Sequence, residues 1–211
     1  MINTSRGDQV TFSENYPQED IFMQQARKNG EELGISDPSP AVGALIGFMA
    51  RSVAAASIVE IGTGSGVSGL WAFHGATTDS TLTSIDSERE HLGSAREVFE
   101  EAGISSHRFR LIGGSAIEIV GKLADKNYDL MIVRTPEDLF EVVQESFRLL
   151  KDNGALIIDN VMDSGRVADP TQRDFATIAR RDAIKAIKED SRWSSALLPV
   201  GGGVLVATKI R

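Results

Sequence analysis

The sequence predicts an α/β domain: a doubly wound, mostly parallel sheet of seven strands with helices on both faces, finished by an antiparallel C-terminal hairpin. Three observations carry that prediction. Short runs rich in Ile, Val and Leu alternate with helical stretches along most of the chain, the pattern of a parallel sheet. One of those runs, SIVEI (57–61), opens into the glycine bend Gly62-Thr63-Gly64-Ser65-Gly66, placed where a strand hands over to a helix. Near the C-terminus the alternation stops, and SALLPV and VLVATKI flank a GGG turn, which reads as a hairpin.

The elements follow in order. Residues 1–19 are polar and read as a loosely held arm. Residues 20–50 carry two helices that contribute to the ligand pocket. The first, EDIFMQQARKNGEELG, stops at Gly34; the second has Ser39 as N-cap and Pro40 at its first position. Val42, Leu45, Ile46 and Met49 recur at helical spacing and predict its buried face. Strands are expected at 57–61, 81–85, 108–112, 129–133 and 155–159. Ser87 and Glu90 have capping-box spacing for a helix ending at Gly103, and Thr135 with Pro136 reads as the start of another. A long helix over roughly 171–190 should bury Phe175, Ile178, Ala179, Ala186 and Ile187.

The chain has 211 residues, of which 41% are hydrophobic and 25% charged, which suits one globular domain spanning 1–211. A net charge of −8 argues against nucleic acid as partner. With no cysteine, disulfides, thiolate metal sites and a cysteine nucleophile are excluded. The N-terminus lacks the apolar core of a signal peptide, and AVGALIGFMA is too short to span a membrane, so a cytoplasmic protein is expected.

The glycine bend admits two ligand classes. Glycines let the backbone approach a ligand where a Cβ would collide. Gly64-Ser65-Gly66-Val67-Ser68-Gly69 also fits GxGxxG, so an NAD-dependent reductase is one alternative. Asp86, at the end of the second strand, suits ribose hydroxyls in either class. Glu60 separates them: a diphosphate would repel it, whereas the ammonium group of S-adenosylmethionine would be a partner for a carboxylate in an apolar strand.

VEIGTGSGVSGL followed by LTSIDSE resembles motifs I and II of the class I S-adenosylmethionine-dependent methyltransferases, with a Rossmann-like fold. The variety it is similar to is the bacterial O-methyltransferases related to the catechol and caffeoyl-CoA enzymes. LIGGSAIEIV, YDLMIV, LLKDNGALIIDNVMDSGRV and LLPVGGGVLVATK extend the resemblance from Pro38 to the C-terminus. It implies S-adenosylmethionine as cofactor, held by Pro38, Glu60, Gly62, Thr63, Gly64, Gly66, Ser68, Asp86 and Ser87, with Ser115 and Ala116 beside the adenine. It also implies a homodimer and methyl transfer to an oxygen of a small acceptor; the Arg134 guanidinium, a bidentate donor, admits an anionic one. The acceptor pocket would be formed by the N-terminal segment and the loops around Arg134 and 160–170.

One motif departs from the family. Its fourth strand usually ends Asp-Ala-Asp-Lys, the first Asp ligating a divalent metal; this chain reads Arg134-Thr135-Pro136-Glu137, with Phe140 in the aromatic slot. Of the metal site, Asp159 and Asn160 remain. A guanidinium beside them is hostile to a dication. Arg134 is then either a solvated strand-end charge, or it takes the metal's place and pairs with Asp159 in the catalytic centre. Glu137 and Asp138 read first as helix N-terminal charges stabilised by the dipole, and only second as candidate bases. His74, His91 and His107 are assigned no role. The break also leaves open a non-catalytic descendant that binds S-adenosylmethionine without turning it over.

Overall fold

The computed structural model describes residues 6–210. Helices α1 (Arg6–Glu14), α2 (Ile21–Leu33) and α3 (Pro40–Ser52) precede the sheet. There follow β1 (Ser57–Ile61), α4 (Val67–Gly75), β2 (Thr81–Asp86), α5 (Arg89–Glu101), β3 (Phe109–Gly113), α6 (Ala116–Val120) and β4 (Tyr128–Val133). The chain ends with α7 (Leu139–Leu149), β5 (Leu150–Ile158), α8 (Phe175–Glu189), β6 (Trp193–Leu198) and β7 (Val204–Lys209). All seven strands form one sheet in the order β3-β2-β1-β4-β5-β7-β6. β1 to β5 pair in parallel; β7 runs antiparallel to both β5 and β6, which makes the expected hairpin.

Successive side chains of a strand point to opposite faces, so each buried strand feeds two cores. Ile58, Leu130, Ile132 and Ile157 face one of them, together with Ile46, Leu70, Trp71 and Phe99 from α3, α4 and α5. Val59, Ile61, Met131, Val133 and Ile158 face the other, with Val120, Val142, Leu149, Ala183 and Ile187 from α6, α7 and α8. On the first face α3 and α4 approach closely. A Cβ on Gly75 would fall 1.9 Å from the carbonyl oxygen of Gly47, a contact only glycine permits.

Several local expectations are corrected. Of the stretch read as a loose arm, residues 1–5 lie outside the described residues. Residues Arg6–Glu14 form α1, whose Glu14 side chain accepts from the backbone N–H groups of Ala41 and Gly201. Glu19 is tied to Arg27 at 2.9 Å and to the Trp71 indole at 3.2 Å. Helix α5 is preceded by Glu88 with no side-chain cap, so Ser87 and Glu90 form no capping box. Thr135 does not cap α7; its hydroxyl accepts from the Glu137 N–H in a tight turn, and the helix begins three residues later, after Asp138. Asp138 is therefore the N-cap and not an early helical residue. Helix α8 is corrected in part: Ala179 and Ile187 are buried as predicted, Phe175 and Ile178 are exposed, and Thr177, Arg180 and Ala183 complete the buried side. The predicted Val42 and Ile46 of α3 are fully buried, with Leu45 and Met49 at the edge of the same core.

Candidate active site

A cavity of about 620 Å³ lies at the carboxyl ends of the parallel strands, a size typical of small-molecule sites. It sits where β1 and β4 lie side by side while their following helices, α4 and α7, pack on opposite faces. That is the switch point at which doubly wound sheets bind ligands. Gly62 and Gly64 line it, as do Asp86 to Glu88, Gly114 to Ala116, and Arg134 to Asp138. The turn Gly34 to Ser36, between α2 and α3, closes another side.

The glycines are required by close approach. A Cβ on Gly62, whose φ is +92°, would lie 3.3 Å from the Arg134 backbone; one on Gly64 would lie 3.1 Å from the Arg134 guanidinium. The Gly64 N–H donates to Asp86 Oδ2 at 3.1 Å, and Asp86 Oδ1 accepts from the Glu88 N–H at 2.9 Å. His91 Nδ1 lies 3.1 Å from the same Oδ1, so this histidine, assigned no role from the sequence, lines the cavity beside the acidic residue. Its signal was available: it sits in the first turn of the helix that follows Asp86.

Other predicted residues lie behind the cavity wall. Glu60 is fully buried; Ser84 donates to its Oε2 at 2.6 Å, and Thr63 shares a 2.7 Å hydrogen bond with Ser84. Burial pushes the Glu60 carboxyl up, against the opposing effect of the Ser68 and Ser84 hydrogen bonds and the Arg134 charge. Gly66 packs on Ala95 and Phe99, and the Pro38 carbonyl accepts from Arg27. Glu60, Thr63, Gly66, Ser68 and Pro38 thus support the loop, and Gly62, Gly64, Asp86, Ser87, Ser115 and Ala116 face the cavity.

Arg134 is not a solvated charge: its side chain is 5% exposed. One terminal nitrogen donates to Ser68 Oγ at 3.1 Å and Gly62 O at 3.4 Å, the other to Ser36 O at 2.9 Å. Its Nε lies 3.6 Å from Asp159 Oδ2, and Nη2 lies 3.8 Å from Asp37 Oδ1. Burial raises the Asp159 carboxyl while the guanidinium pulls it down. Asn160 donates its backbone N–H to Asp159 Oδ1, and its own carbonyl accepts from Arg180. The sequence reading missed Asp37, which accepts from Ser65 Oγ at 2.6 Å. Asp-Pro reads as an ordinary turn, so nothing local marked it.

A glycine cradle that Cβ atoms would fill, an acidic residue at the end of β2 and buried polar atoms left without partners beside it fit a methyl donor with ribose and amino-acid ends. A divalent metal does not fit. Among the described residues no three His, Cys, Asp or Glu side chains cluster to hold one, and a guanidinium stands against the remaining Asp159.

An open α/β sheet with a glycine bend after β1 and an acidic residue ending β2 defines a Rossmann-like, nucleoside-binding protein. Sequence comparison identifies which. The O-methyltransferase family model matches residues 14–210. A Mycobacterium tuberculosis protein described as a probable O-methyltransferase is 42% identical over 207 residues, covering 97% of this chain and 92% of the relative. A crystal structure of a Corynebacterium glutamicum protein superposes with a TM-score of 0.88 at 31% identity, over 95% of both chains. The Streptomyces achromogenes O-methyltransferase of tomaymycin synthesis, solved with S-adenosylmethionine, gives 0.84 at 27% identity, over 96% of this chain and 95% of that one. The chain belongs to the O-methyltransferase family. It is an S-adenosylmethionine-dependent O-methyltransferase, and the NAD-dependent reductase reading falls. Among the described residues no helix is long and apolar enough to cross a membrane.

Proposed function

We propose that this chain methylates an oxygen of a small acceptor without a divalent metal, with Arg134 holding the metal's place against Asp159. The observation that carries the reading is the buried Arg134 guanidinium, 3.6 Å from Asp159 and hydrogen-bonded to Ser36, Gly62 and Ser68. S-adenosylmethionine supplies the methyl group as a sulfonium substituent. In this reading Gly62 and Gly64 admit the donor, Asp86 and Ser87 hold its ribose, and Ser115 and Ala116 border the adenine. The acceptor oxygen attacks the methyl carbon in line, and the sulfur leaves as a neutral thioether. Positioning of this kind contributes on the order of 7–11 kcal/mol. Asp159, raised by burial, is suited to take the acceptor's proton while Arg134 keeps its carboxylate oriented.

The test is a calorimetric titration with Mg²⁺ and Ca²⁺ in the presence of S-adenosylhomocysteine, for wild type and Arg134→Asp, alongside turnover of a phenol and catechol panel in EDTA. Wild type should bind neither ion and keep its activity in EDTA, and the variant should gain a site. Metal binding by wild type, or loss of turnover in EDTA, refutes the reading. We further propose a cytoplasmic homodimer that does not act on nucleic acid. The net charge of −8 and the exposed Phe12, Tyr16 and Ile21 near the N-terminus support it, and sedimentation equilibrium tests the dimer.

A further inference from the structure

Asp37 is a buried carboxylate that the methyl-transfer scheme above does not use. Its side chain is 4% exposed, yet only one of its oxygens is bonded: Oδ2 accepts from Ser65 at 2.6 Å, and Oδ1 is buried with no hydrogen-bond partner. Arg134 comes no nearer to Oδ1 than 3.8 Å, an ion pair without a hydrogen bond, and Arg134 Nε, 3.6 Å from Asp159, likewise makes no hydrogen bond. Leaving a buried charged group short of a hydrogen bond is costly, so such an atom is expected to meet a ligand.

The position says which ligand group. Oδ1 lies 3.2 Å from where a Cβ on Gly64 would be, on the same side of the glycine loop as the Arg134 guanidinium. Ile35 and Ser36, the residues just before it, line the cavity. The crowding extends to α2, where a Cβ on Gly30 would strike Asp37 at 2.0 Å, so the carboxylate is packed in place. Glu60, the residue a reading of the sequence favours for an ammonium partner, has the same pattern, Oε2 accepting from Ser84 and Oε1 without a hydrogen-bond partner, but it is fully buried within β1 behind the loop.

Resting on the cofactor placement proposed above, we infer that Asp37 is the positioning residue for the amino-acid end of the methyl donor, its Oδ1 accepting from the α-ammonium group. Asp37, 3.8 Å from Arg134 Nη2, then ties the donor's amino-acid end to the guanidinium. Arg134 thereby links donor to acceptor, since its other carboxylate partner is Asp159.

The experiment is calorimetric titration of wild type, Asp37→Asn and Glu60→Gln with three probes: S-adenosylhomocysteine, its α-deamino analogue and 5′-methylthioadenosine. Wild type should prefer S-adenosylhomocysteine over the deamino analogue by about 10- to 100-fold, the worth of a charged hydrogen bond. In Asp37→Asn that preference should collapse while 5′-methylthioadenosine binds as before; in Glu60→Gln it should persist. A preference retained in Asp37→Asn, or lost in Glu60→Gln alone, overturns the inference. If Asp37→Asn does not fold, Ser65→Ala, which frees the carboxylate without removing its charge, should cut the preference several-fold, and no change there overturns it too. A wild type that binds none of the three probes sinks the cofactor placement itself, and the role of Asp37 with it.

Discussion

Arg134→Met removes the guanidinium but keeps most of the stem volume, and its cost follows from the geometry. The substitution leaves Asp37 and Asp159, with side chains 4% and 9% exposed, facing each other's side of a site with no cation between them. It also strips the donor from Ser36 O, Gly62 O and Ser68 Oγ. Removing one partner of a buried ion pair costs about 3–5 kcal/mol. For a chain of this size each kcal/mol moves Tm by about 2–4 °C, so a fall of roughly 6–20 °C is expected near neutral pH. The loss should depend on pH in a definite direction. Burial already raises the Asp159 carboxyl against the pull of Arg134, and without the cation it rises further. A carboxyl with a higher pKa folded than unfolded binds protons better in the folded state. Its contribution is therefore present at low pH and lost as pH rises through the folded value. The variant should recover part of its deficit as pH falls from neutrality toward the ordinary carboxylate range, measured by urea denaturation across that interval. A deficit below about 1 kcal/mol with no pH dependence would refute the buried triad, since that is what a solvated surface pair is worth.

Two further substitutions test other parts of the structure. Gly75→Ala drives a methyl into the Gly47 carbonyl at 1.9 Å, backbone against backbone; a loss near 3 kcal/mol, the upper end for overpacking, should appear as a Tm fall of about 6–12 °C. Asp86→Ala should weaken S-adenosylhomocysteine and 5′-methylthioadenosine alike, each by about 10- to 100-fold in calorimetry. A loss confined to the amino-acid-bearing ligand would move Asp86 away from the ribose.

The sheet was legible because strands buried on both faces must be apolar almost throughout, and a run such as SIVEI, closed by a glycine bend, is too short for a buried helix; β1 occupies the predicted 57–61. β5 is longer than its apolar run suggests. Lys151-Asp152-Asn153-Gly154 looks like a turn, yet Leu150 pairs with Tyr128 across an irregularity in the ladder. The start of α7 departs from its local signals for a tertiary reason. Residues 134–138 wrap the cavity, so a Thr-Pro pair with every local mark of a helix start is drawn into the site wall. In α8 the apolar spacing pointed at Phe175 and Ile178, whereas the buried side carries Arg180, engaged by the Asn160 carbonyl. The glycine bend, Asp86 and the pairing of Arg134 with Asp159 were readable because each follows from a strand end in a known sheet order. What sequence could not rank was the set of acids near the bend. Glu60 and Asp37 are both buried carboxylates within hydrogen-bonding reach of neighbouring serine hydroxyls, and only the fold puts one behind the loop and the other against the cavity-lining turn.

The charges around the cavity also bear on the acceptor. Asp86, Glu88, Glu137 and Asp138 line it, against Arg134 and His91. Both basic side chains already have acidic partners, Arg134 between Asp37 and Asp159 and His91 on Asp86. The sequence alone allowed an anionic acceptor for which Arg134 would supply the counter-charge; a guanidinium committed to two buried carboxylates is a poor host for a third. A neutral or cationic acceptor meets less repulsion from the same walls. If no metal assists, the acceptor oxygen also receives no Lewis-acid help in losing its proton. It must ionise readily or pass the proton to a carboxylate of raised affinity such as Asp159. Both conditions favour a phenolic hydroxyl over an alkyl alcohol. They also favour a phenol that carries no carboxylate of its own, because the site's net negative charge then opposes neither binding nor proton transfer.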